Sequence, residues 1–339
     1  MERKIMSLGR SSLVVSLPKH WVQLNGLKRG DVVSFAVQRD RSLVIFPSVE
    51  RKGESREVTL YVEPNEGETS IVRRIIGCYL NGYFGIRIIS KGIFSIPQRK
   101  AIRNIVRMLY MRILESDAKS MFIQTLIDES KASLDLSINR MFLISHSMCV
   151  DALNALKNQD ATLAKAVYSL DDDVDHFSFF ILRLLRNASQ DSVIANEFGI
   201  DSLDCMDYQT FIYRIEHAAD YSSNIAKHVI LLTESRQKIP DDILSLIFDE
   251  GTEAVNLYAK AVKAFFSKDV AASNEVIESQ SKIERMDQEV ASKAFMGKQK
   301  NALTVCAICS IREDIKKIAD CAADIAEIVI NRAYKIGAT

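Results

Sequence analysis

Glycine and proline are concentrated in one part of this chain of 339 residues. Nine of the thirteen glycines and four of the five prolines lie within the first 100 residues. Because both residue types destabilise the interior of a helix, their later scarcity predicts long helices over residues 101–339. The front part, which is rich in turns, is predicted to hold the strands.

The composition is that of an ordered protein, with 47% apolar and 26% charged residues. No apolar run approaches the roughly 18 residues of a membrane span, so no membrane insertion is expected. The net charge is zero only on average. Residues 1–120 carry 21 basic and 11 acidic side chains, while residues 121–339 carry 23 and 33. This asymmetry predicts different partners for the two ends of the chain.

The first residues and the cysteines bear on the cellular compartment. Charges flank the short apolar stretch after Met1, and this pattern is unlike a signal peptide, so we expect a cytoplasmic protein. Six scattered cysteines are too few for a disulfide framework. The single pair Cys306 and Cys309 lies among apolar residues, which favours two small buried side chains over zinc or redox chemistry.

The pattern of residues 3–47 predicts a small β unit. Pro18 is placed to begin a short helix and Gly26 to end it. Strands this short bury little apolar surface, so the unit is expected to need a partner chain. We predict strands over 4–7 and 12–17, a helix over 19–25, and a hairpin of strands over 32–38 and 42–46.

The run GRSSLVVSLPKHWVQLNGLKRGDVVSFAV resembles the AbrB/SpoVT family, above all in L-P-K before the helix and G-L-K-R-G-D after it. In that family two chains interlock into one swapped-hairpin barrel that binds double-stranded DNA, and several related families include antitoxins. The resemblance implies that residues 1–50 form a DNA-binding and dimerisation domain of a homodimer or higher oligomer. Its basic residues expected at the DNA phosphates are Arg3, Lys4, Arg10, Lys19 and Arg29.

Residues 55–128 alternate between strand and helix patterns and predict a small α/β domain. The expected order is βαβαβ, with strands over 56–62, 85–90 and 121–127 and helices over 68–83 and 97–115. The second helix is unusually basic. A solvated helix face and an anion-binding or nucleic-acid surface both remain open for its cations, which are Arg99, Lys100, Arg103, Arg107 and Arg112.

The helical half contains an internal repeat. Residues 215–230 align with 315–330 at seven identical positions, and residues 160–175 align more weakly with 269–284. Two copies of one three-helix unit explain both alignments. Asp160, Asp269 and Pro240 are suited to helix starts. We therefore predict all-α tandem three-helix bundles over residues 130–236 and 240–336, so that the whole chain is multidomain.

Acidic pairs recur on helix faces of the first bundle. Asp171 and Asp175 share one face, and Glu216 and Asp220 share another. Like charges four residues apart cost about 0.2 to 0.5 kcal/mol per pair in an isolated helix. Small residues such as Ala218 and Ala219 would let the two helices approach. The pattern alone is equally compatible with an oxygen-ligand metal site and with a solvated acidic face.

The stretches DATLAKAVYSLDDDVDHF and RIEHAADYSSNIAKHVI are similar to the PhoU family, a tandem of three-helix bundles with E/D-x-x-x-D motifs. Members are cytoplasmic regulators of phosphate uptake whose motifs bind metal clusters. The resemblance implies a divalent or trivalent ion (Fe, Zn, Mn or Mg) as cofactor, and His217 replaces an arginine of the family. The ligands that it implies in the first bundle are Asp171, Asp175, Glu216, Asp220 and Asn224.

The second copy departs from the family pattern. Lys316 replaces the expected Glu and Gln280 the first upstream Asp, so that only Glu284 and Asp320 remain as implied ligands. A lysine one turn from Asp320 can supply the positive charge that a metal would bring. Further carboxylates stand at Asp287, Glu313 and Asp324, but helix geometry argues against one site containing all of them.

Together the two resemblances imply a phosphate-responsive transcriptional regulator, with the ATPase subunit of a phosphate transporter as a further partner. We expect no enzyme, because the sequence shows no nucleophile with its base and no phosphate-binding glycine loop. One alternative is a cytoplasmic adaptor that inhibits a phosphate transporter by contact and uses its N-terminal domain only for dimerisation. The other alternative is a metal-dependent phosphohydrolase.

Overall fold

The computed structural model describes residues 2–9, 12–37, 42–47, 56–126, 132–296 and 301–335. The chain divides into two compact units, residues 1–54 and 55–339. In the first unit two antiparallel pairs, β1 with β2 and β3 with β4, form separate two-stranded sheets. The elements are β1 (Met6–Leu8), β2 (Ser12–Val14), α1 (Lys19–Leu24), β3 (Ser34–Val37) and β4 (Leu43–Phe46).

The described part of this unit forms no barrel within one chain, and its first two strands are shorter than predicted. Its large apolar side chains remain in solvent: Leu13 is 72% exposed, Val37 68% and Phe35 57%. Strands of three and four residues leave too little surface to bury them. The apolar faces that a barrel would cover are therefore open in the single chain.

The second unit begins with a four-stranded mixed sheet in the order β5-β6-β8-β7. The strand β5 runs parallel to β6, and the other two pairings are antiparallel. Two helices bury Ile71, Ile75 and Ile102 against Ile86 and Ile88 of the sheet. The elements are β5 (Glu57–Val62), α2 (Glu68–Leu80), β6 (Gly85–Ser90), α3 (Ile96–Met108), β7 (Met111–Ser116) and β8 (Ser120–Thr125).

The predicted helix over residues 97–115 is wrong beyond Met108. The helix ends because Tyr110 takes a left-handed conformation, with φ of 52°, and β7 follows at once. The strand is held by antiparallel pairing with β8, through a turn in which Asp117 accepts hydrogen bonds from two backbone N–H groups. Arg112 therefore lies on a strand, and the order is βαβαββ rather than βαβαβ.

Eight helices of the described ranges make up the rest of the unit. The side chains of Asp160 and Asp269 accept backbone hydrogen bonds at the starts of α5 and α9, as their sequence positions predict. The second long helix of the second repeat is divided at Ser279. The helices are α4 (Leu134–Asn158), α5 (Ala161–Gln190), α6 (Ser192–Phe198), α7 (Ser202–Glu234), α8 (Asp241–Ser267), α9 (Val270–Glu278), α10 (Gln280–Met296) and α11 (Ala302–Ala333).

The long helices share one continuous apolar core. The repeated segments lie on α7 and α11, which pack against each other. At Gly251 a Cβ atom would lie 2.5 Å from Leu153 Cδ2, so glycine permits the close approach of α4 and α8. The prediction that Cys306 and Cys309 are both buried is wrong, because Cys306 is exposed and Cys309 is half-buried.

The sheet domain is fixed to the helices by Arg183 of α5. This buried side chain donates hydrogen bonds to the carbonyl oxygens of Tyr79 and, at 3.0 Å, of Tyr83, at the end of α2. Arg186 donates to Asn81 Oδ1 at 2.8 Å. Across the described ranges, no helix is both long and apolar enough to cross a membrane.

Candidate metal and nucleic-acid sites

Helices α5 and α7 bring the four carboxylates of the first bundle together. The two helices pack against each other, and Ala218, Ala219 and Ala226 are buried small residues on α7. All four carboxylates are half-buried on the facing surfaces: Asp171 and Asp175 on α5, Glu216 and Asp220 on α7. The spacing of four residues within each pair predicts that its two members share a helix face.

The electrostatics show that these carboxylates act on one another. Burial, followed by the charges of Asp171 and Asp220, raises the pKa of Asp175 to about 6. Burial, followed by the charges of Asp220, Asp175 and Asp171, raises the pKa of Glu216 to about 7. Negative charge is therefore concentrated and partly shielded from water, which is the condition that attracts a cation.

Two cationic or ionisable side chains border this group. His217 Nε2 lies 3.6 Å from Glu216 Oε2. Lys227 reaches from α7 towards α5, with Nζ 5.2 Å from the ring centre of Tyr168. Its charge lowers the pKa of Asp171, although burial makes the net shift upward. Lys227 lies seven residues from Asp220, about two turns along the helix, and sequence reasoning did not single it out.

Asn224 is engaged outside the carboxylate group. Its Oδ1 accepts a hydrogen bond from Lys227 Nζ at 3.1 Å. Its side chain is also hydrogen-bonded to Asp314 of α11, and that bond opposes the burial that raises the pKa of Asp314 to about 6. The structure thus uses Asn224 to join α7 to α11. Asp314 itself was not singled out by the sequence patterns.

The second bundle does not repeat this arrangement. Gln280 donates from Nε2 to the carbonyl oxygen of Ala319 at 3.1 Å, so a neutral hydrogen bond replaces the first upstream carboxylate. Glu284 is exposed on α10. Burial raises the pKa of Asp320, and the charge of Lys316 is the largest influence that lowers it. The substitution at Lys316 therefore places a positive charge near Asp320.

Each of the three additional carboxylates of the second bundle lies beside its own cation. Asp287 pairs with Arg312 at 2.7 Å, Asp324 with Arg214 at 2.8 Å, and Glu313 with Lys317 at 3.4 Å. Each ion pair neutralises a group that would otherwise be available to a metal. Helix geometry predicted that these residues do not form one site.

Sequence reasoning missed Glu250. This side chain is 0% exposed, and neither carboxyl oxygen has a hydrogen-bond partner among the described residues. Burial, followed by the charge of Asp287, raises its pKa to about 8. The sequence does indicate that Glu250 is buried, because this residue interrupts an apolar stripe that includes Ile247 and Ala254.

The first-bundle carboxylates have the chemistry of an oxygen-ligand metal site, and their raised pKa values show a deficit of positive charge. In this structure, however, the described side chains of His, Cys, Asp and Glu do not converge in any group of three or more that could hold a metal ion. The residues thus fit a metal by donor type and charge, while their side chains are not in coordinating positions.

The predicted DNA-binding residues are exposed where the structure describes them. Lys19 is the first residue of α1, and Arg29 lies in the turn in which Asp31 Oδ2 accepts a hydrogen bond from the N–H of Lys28. Arg3 and Lys4 precede β1 and are exposed. Arg10 lies outside the described residues.

Two family models match the chain. Residues 138–229 and 249–329 match the PhoU domain. Residues 7–53 match the family described as antidote-toxin recognition MazE, bacterial antitoxin. Neither family consists of enzymes. A search of curated proteins found no match.

Solved structures of similar fold come from two bacteria. PhoU from Pseudomonas aeruginosa has a TM-score of 0.53 and 19% identity, covering 59% of this chain and 95% of that one. The phosphate transport system regulatory protein PhoU from Streptococcus pneumoniae has a TM-score of 0.50 and 18% identity, covering 59% and 93%. The two PhoU matches together span half of the residues, and their positions coincide with the two helical repeats. The chain therefore belongs to the PhoU family, with two PhoU domains behind an N-terminal domain of the MazE/AbrB swapped-hairpin type.

Proposed function

We propose that this protein is a phosphate-responsive transcriptional regulator of phosphate uptake. It acts in the cytoplasm as a homodimer or higher oligomer that binds double-stranded DNA. The observation that carries the proposal is the presence of a MazE/AbrB-type domain and two PhoU domains on one chain. One protein of similar fold is a phosphate transport system regulatory protein, which supports phosphate uptake as the regulated process.

In this proposal the four segments predicted from the sequence have separate roles. Residues 1–50 hold the DNA through Arg3, Lys4, Arg10, Lys19 and Arg29. The bundles over 130–236 and 240–336 sense or relay phosphate status, and the ATPase subunit of the transporter is a further partner. The segment 55–128 links the two functions.

Metal binding belongs to the first bundle. A divalent or trivalent ion would be held by Asp171, Asp175, Glu216 and Asp220. Burial raises the pKa of all four carboxyl groups, and the charges of neighbouring carboxylates raise it further at Asp171, Asp175 and Glu216. A multivalent cation would stabilise the ionised form of these carboxylates at neutral pH. In the second bundle Lys316 supplies positive charge in place of a metal.

Helix α5 connects the acidic group of the first bundle to the sheet domain. It carries Asp171 and Asp175 in one part and Arg183 twelve residues after Asp171, about 18 Å along the helix. Arg183 holds the end of α2 through two carbonyl oxygens. A change at the acidic group that shifts α5 would be transmitted to the sheet domain.

A second candidate function is favoured by the exposed apolar side chains of the first unit, such as Leu13 and Phe35. These need a partner surface whether or not the unit binds DNA. In this alternative the protein is an adaptor that inhibits a phosphate transporter by contact, and the N-terminal domain serves only for dimerisation.

Salt-dependent binding to duplex DNA separates the two candidates. A variant with Arg3→Ala, Lys4→Ala and Arg10→Ala should lose affinity, and each lost phosphate contact should lower the salt slope by about 0.9. The matched control replaces three exposed lysines of the helical half, Lys238, Lys263 and Lys293, with alanine. Equal affinity of wild type and the N-terminal variant would favour the adaptor.

A further inference from the structure

Helix α3 has an exposed face on which every charged residue is basic. Lys100, Arg103 and Arg107 recur at intervals of three and four residues, and all three side chains are exposed. The helix has 13 residues and none of them is acidic. In α10, by contrast, basic and acidic residues are mixed along the helix. The face of α3 is therefore unlike an ordinary solvated surface of this chain.

The three cations are not neutralised within the described residues. Other basic residues of the sheet domain have acidic partners: Arg74 pairs with Glu66, Arg87 with Glu115 and Lys91 with Glu63. No described carboxylate lies within ion-pair distance of Lys100, Arg103 or Arg107. Like charges at these spacings repel by about 0.2 to 0.5 kcal/mol per pair, and an external polyanion would relieve that repulsion.

The fold holds this face in a defined position. Ser95 and Gln98 form a capping box at the start of α3, and Gln98 Nε2 donates to the carbonyl oxygen of Glu66 at 2.9 Å. On the opposite side of the helix Ile102 and Ile105 are buried in the sheet core. The helix cannot rotate its cations into another environment without exposing this core.

We propose that the Lys100, Arg103 and Arg107 face of α3 is a second DNA-binding surface that contacts the phosphate backbone of a duplex. The proposal deepens the function proposed above and rests on its DNA-binding role. The three cations span about 10 Å along the helix axis. Duplex DNA carries one charge per about 1.7 Å of its axis, so a phosphate is within reach of each cation.

DNA is favoured over other polyanions because the basic face of α3 follows the proposed DNA-binding N-terminal unit in the same chain. Both basic regions belong to one chain, in which ten residues separate β4 from β5. A duplex held by the N-terminal unit is thus presented to the sheet domain at a high local concentration. Cations spaced along a helix and aimed at phosphates provide affinity without base recognition.

The test compares full-length proteins by fluorescence anisotropy with a short labelled duplex over a series of salt concentrations. One variant carries Lys100→Gln, Arg103→Gln and Arg107→Gln, and circular dichroism verifies its helix content. The control variant carries Lys238→Gln, Lys263→Gln and Lys293→Gln, which changes the net charge equally. The N-terminal variant with alanine at Arg3, Lys4 and Arg10 is measured alongside.

Loss of three contacts should make the salt slope of the α3 variant shallower by about 2.7. Between 50 and 200 mM salt the wild type should then lose about 40-fold more affinity than this variant, while the control follows the wild type. Equal slopes for the α3 variant and the wild type would overturn this surface and leave N-terminal DNA binding in place.

Two other results separate this inference from the proposed function. A weakened α3 variant beside an unaffected N-terminal variant would support the surface and overturn DNA binding by the N-terminal unit. If wild type binds inorganic polyphosphate or duplex RNA more tightly than duplex DNA, the assignment of DNA as the occupant is overturned.

Discussion

Arg312 of α11 and Asp287 of α10 form a shielded ion pair inside the second bundle. Nε and Nη2 of the guanidinium donate to the same carboxylate oxygen, at 2.9 and 2.7 Å. The two side chains are only 14% and 10% exposed. The charge of Arg312 also opposes the upward pKa shift of the neighbouring Glu250. One cation therefore compensates two acidic groups within the bundle.

Removal of Arg312 alone should be strongly destabilising. Arg312→Met leaves Asp287 without its partner, and breaking a buried pair in this way costs about 3 to 5 kcal/mol. Urea unfolding followed by circular dichroism measures the change. The double variant Arg312→Met with Asp287→Leu should recover most of the loss, because apolar replacement of both partners is often neutral.

An exposed ion pair provides the control for that experiment. Lys165 and Glu234 lie 3.4 Å apart with 62% and 63% of their side chains exposed. Lys165→Met should change the free energy of unfolding by less than about 1 kcal/mol. A loss for Arg312→Met as small as this would contradict the structural importance of the shielded pair.

Glu250 should make stability depend on pH. Its pKa is about 8 in the folded protein, against an ordinary value of 4.5. Between these pH values the folded state retains a proton that the unfolded state releases, so this group lowers stability as pH rises from about 5 to 8. Glu250→Gln should flatten the pH profile of urea unfolding and stabilise the protein most at the alkaline end.

The exposed residue Glu278 offers the matched control for Glu250. Glu278→Gln should have the same pH profile of urea unfolding as the wild type. The other carboxyl groups with raised pKa values contribute equally to both profiles. If Glu250→Gln has the same pH profile as Glu278→Gln, Glu250 does not hold a proton in the folded state.

Metal should occupy the first bundle in preference to the second. Glu216→Ala combined with Asp220→Ala removes two of four mutually repelling carboxylates and should abolish most bound metal. Asp320→Ala should change the content little, because Lys316 already compensates Asp320. Elemental analysis of the wild type and the two variants, all prepared without chelator, measures the bound metal. Equal losses would show that Lys316 does not replace a metal, and a metal-free wild type would leave the acidic faces as solvated surface.

Deletion of residues 1–50 should lower the oligomeric order while the helices remain folded. The deleted segment contains the exposed apolar residues Leu13, Phe35 and Val37, which need a second chain to bury them. Light scattering gives the mass, and circular dichroism gives the helix content. An unchanged mass would contradict dimerisation through this segment without affecting the helical fold.

Features that depend on nearby residues could be predicted from the sequence. Asp160 begins its helix because its side chain accepts hydrogen bonds from the next turn. The pairs Asp171 with Asp175 and Glu216 with Asp220 share helix faces because residues four apart lie one turn from each other. Lys316 departs from the repeat at a position that aligns directly with Glu216. The strand β7 was missed, because its apolar residues are compatible with either a helix or a strand.

The amino-acid sequence by itself determined the two helical repeats, the acidic pairs that share a helix face in the first bundle and the basic face of α3, since each follows from a pattern along the chain. Only the tertiary structure decided that Asp287 meets Arg312, that Glu250 is enclosed without a partner among the described residues and that Asn224 of α7 meets Asp314 of α11. Each of these outcomes depends on contacts between different helices. Their partners depend on how the helices rotate and cross, and periodicity along one helix carries no information about that.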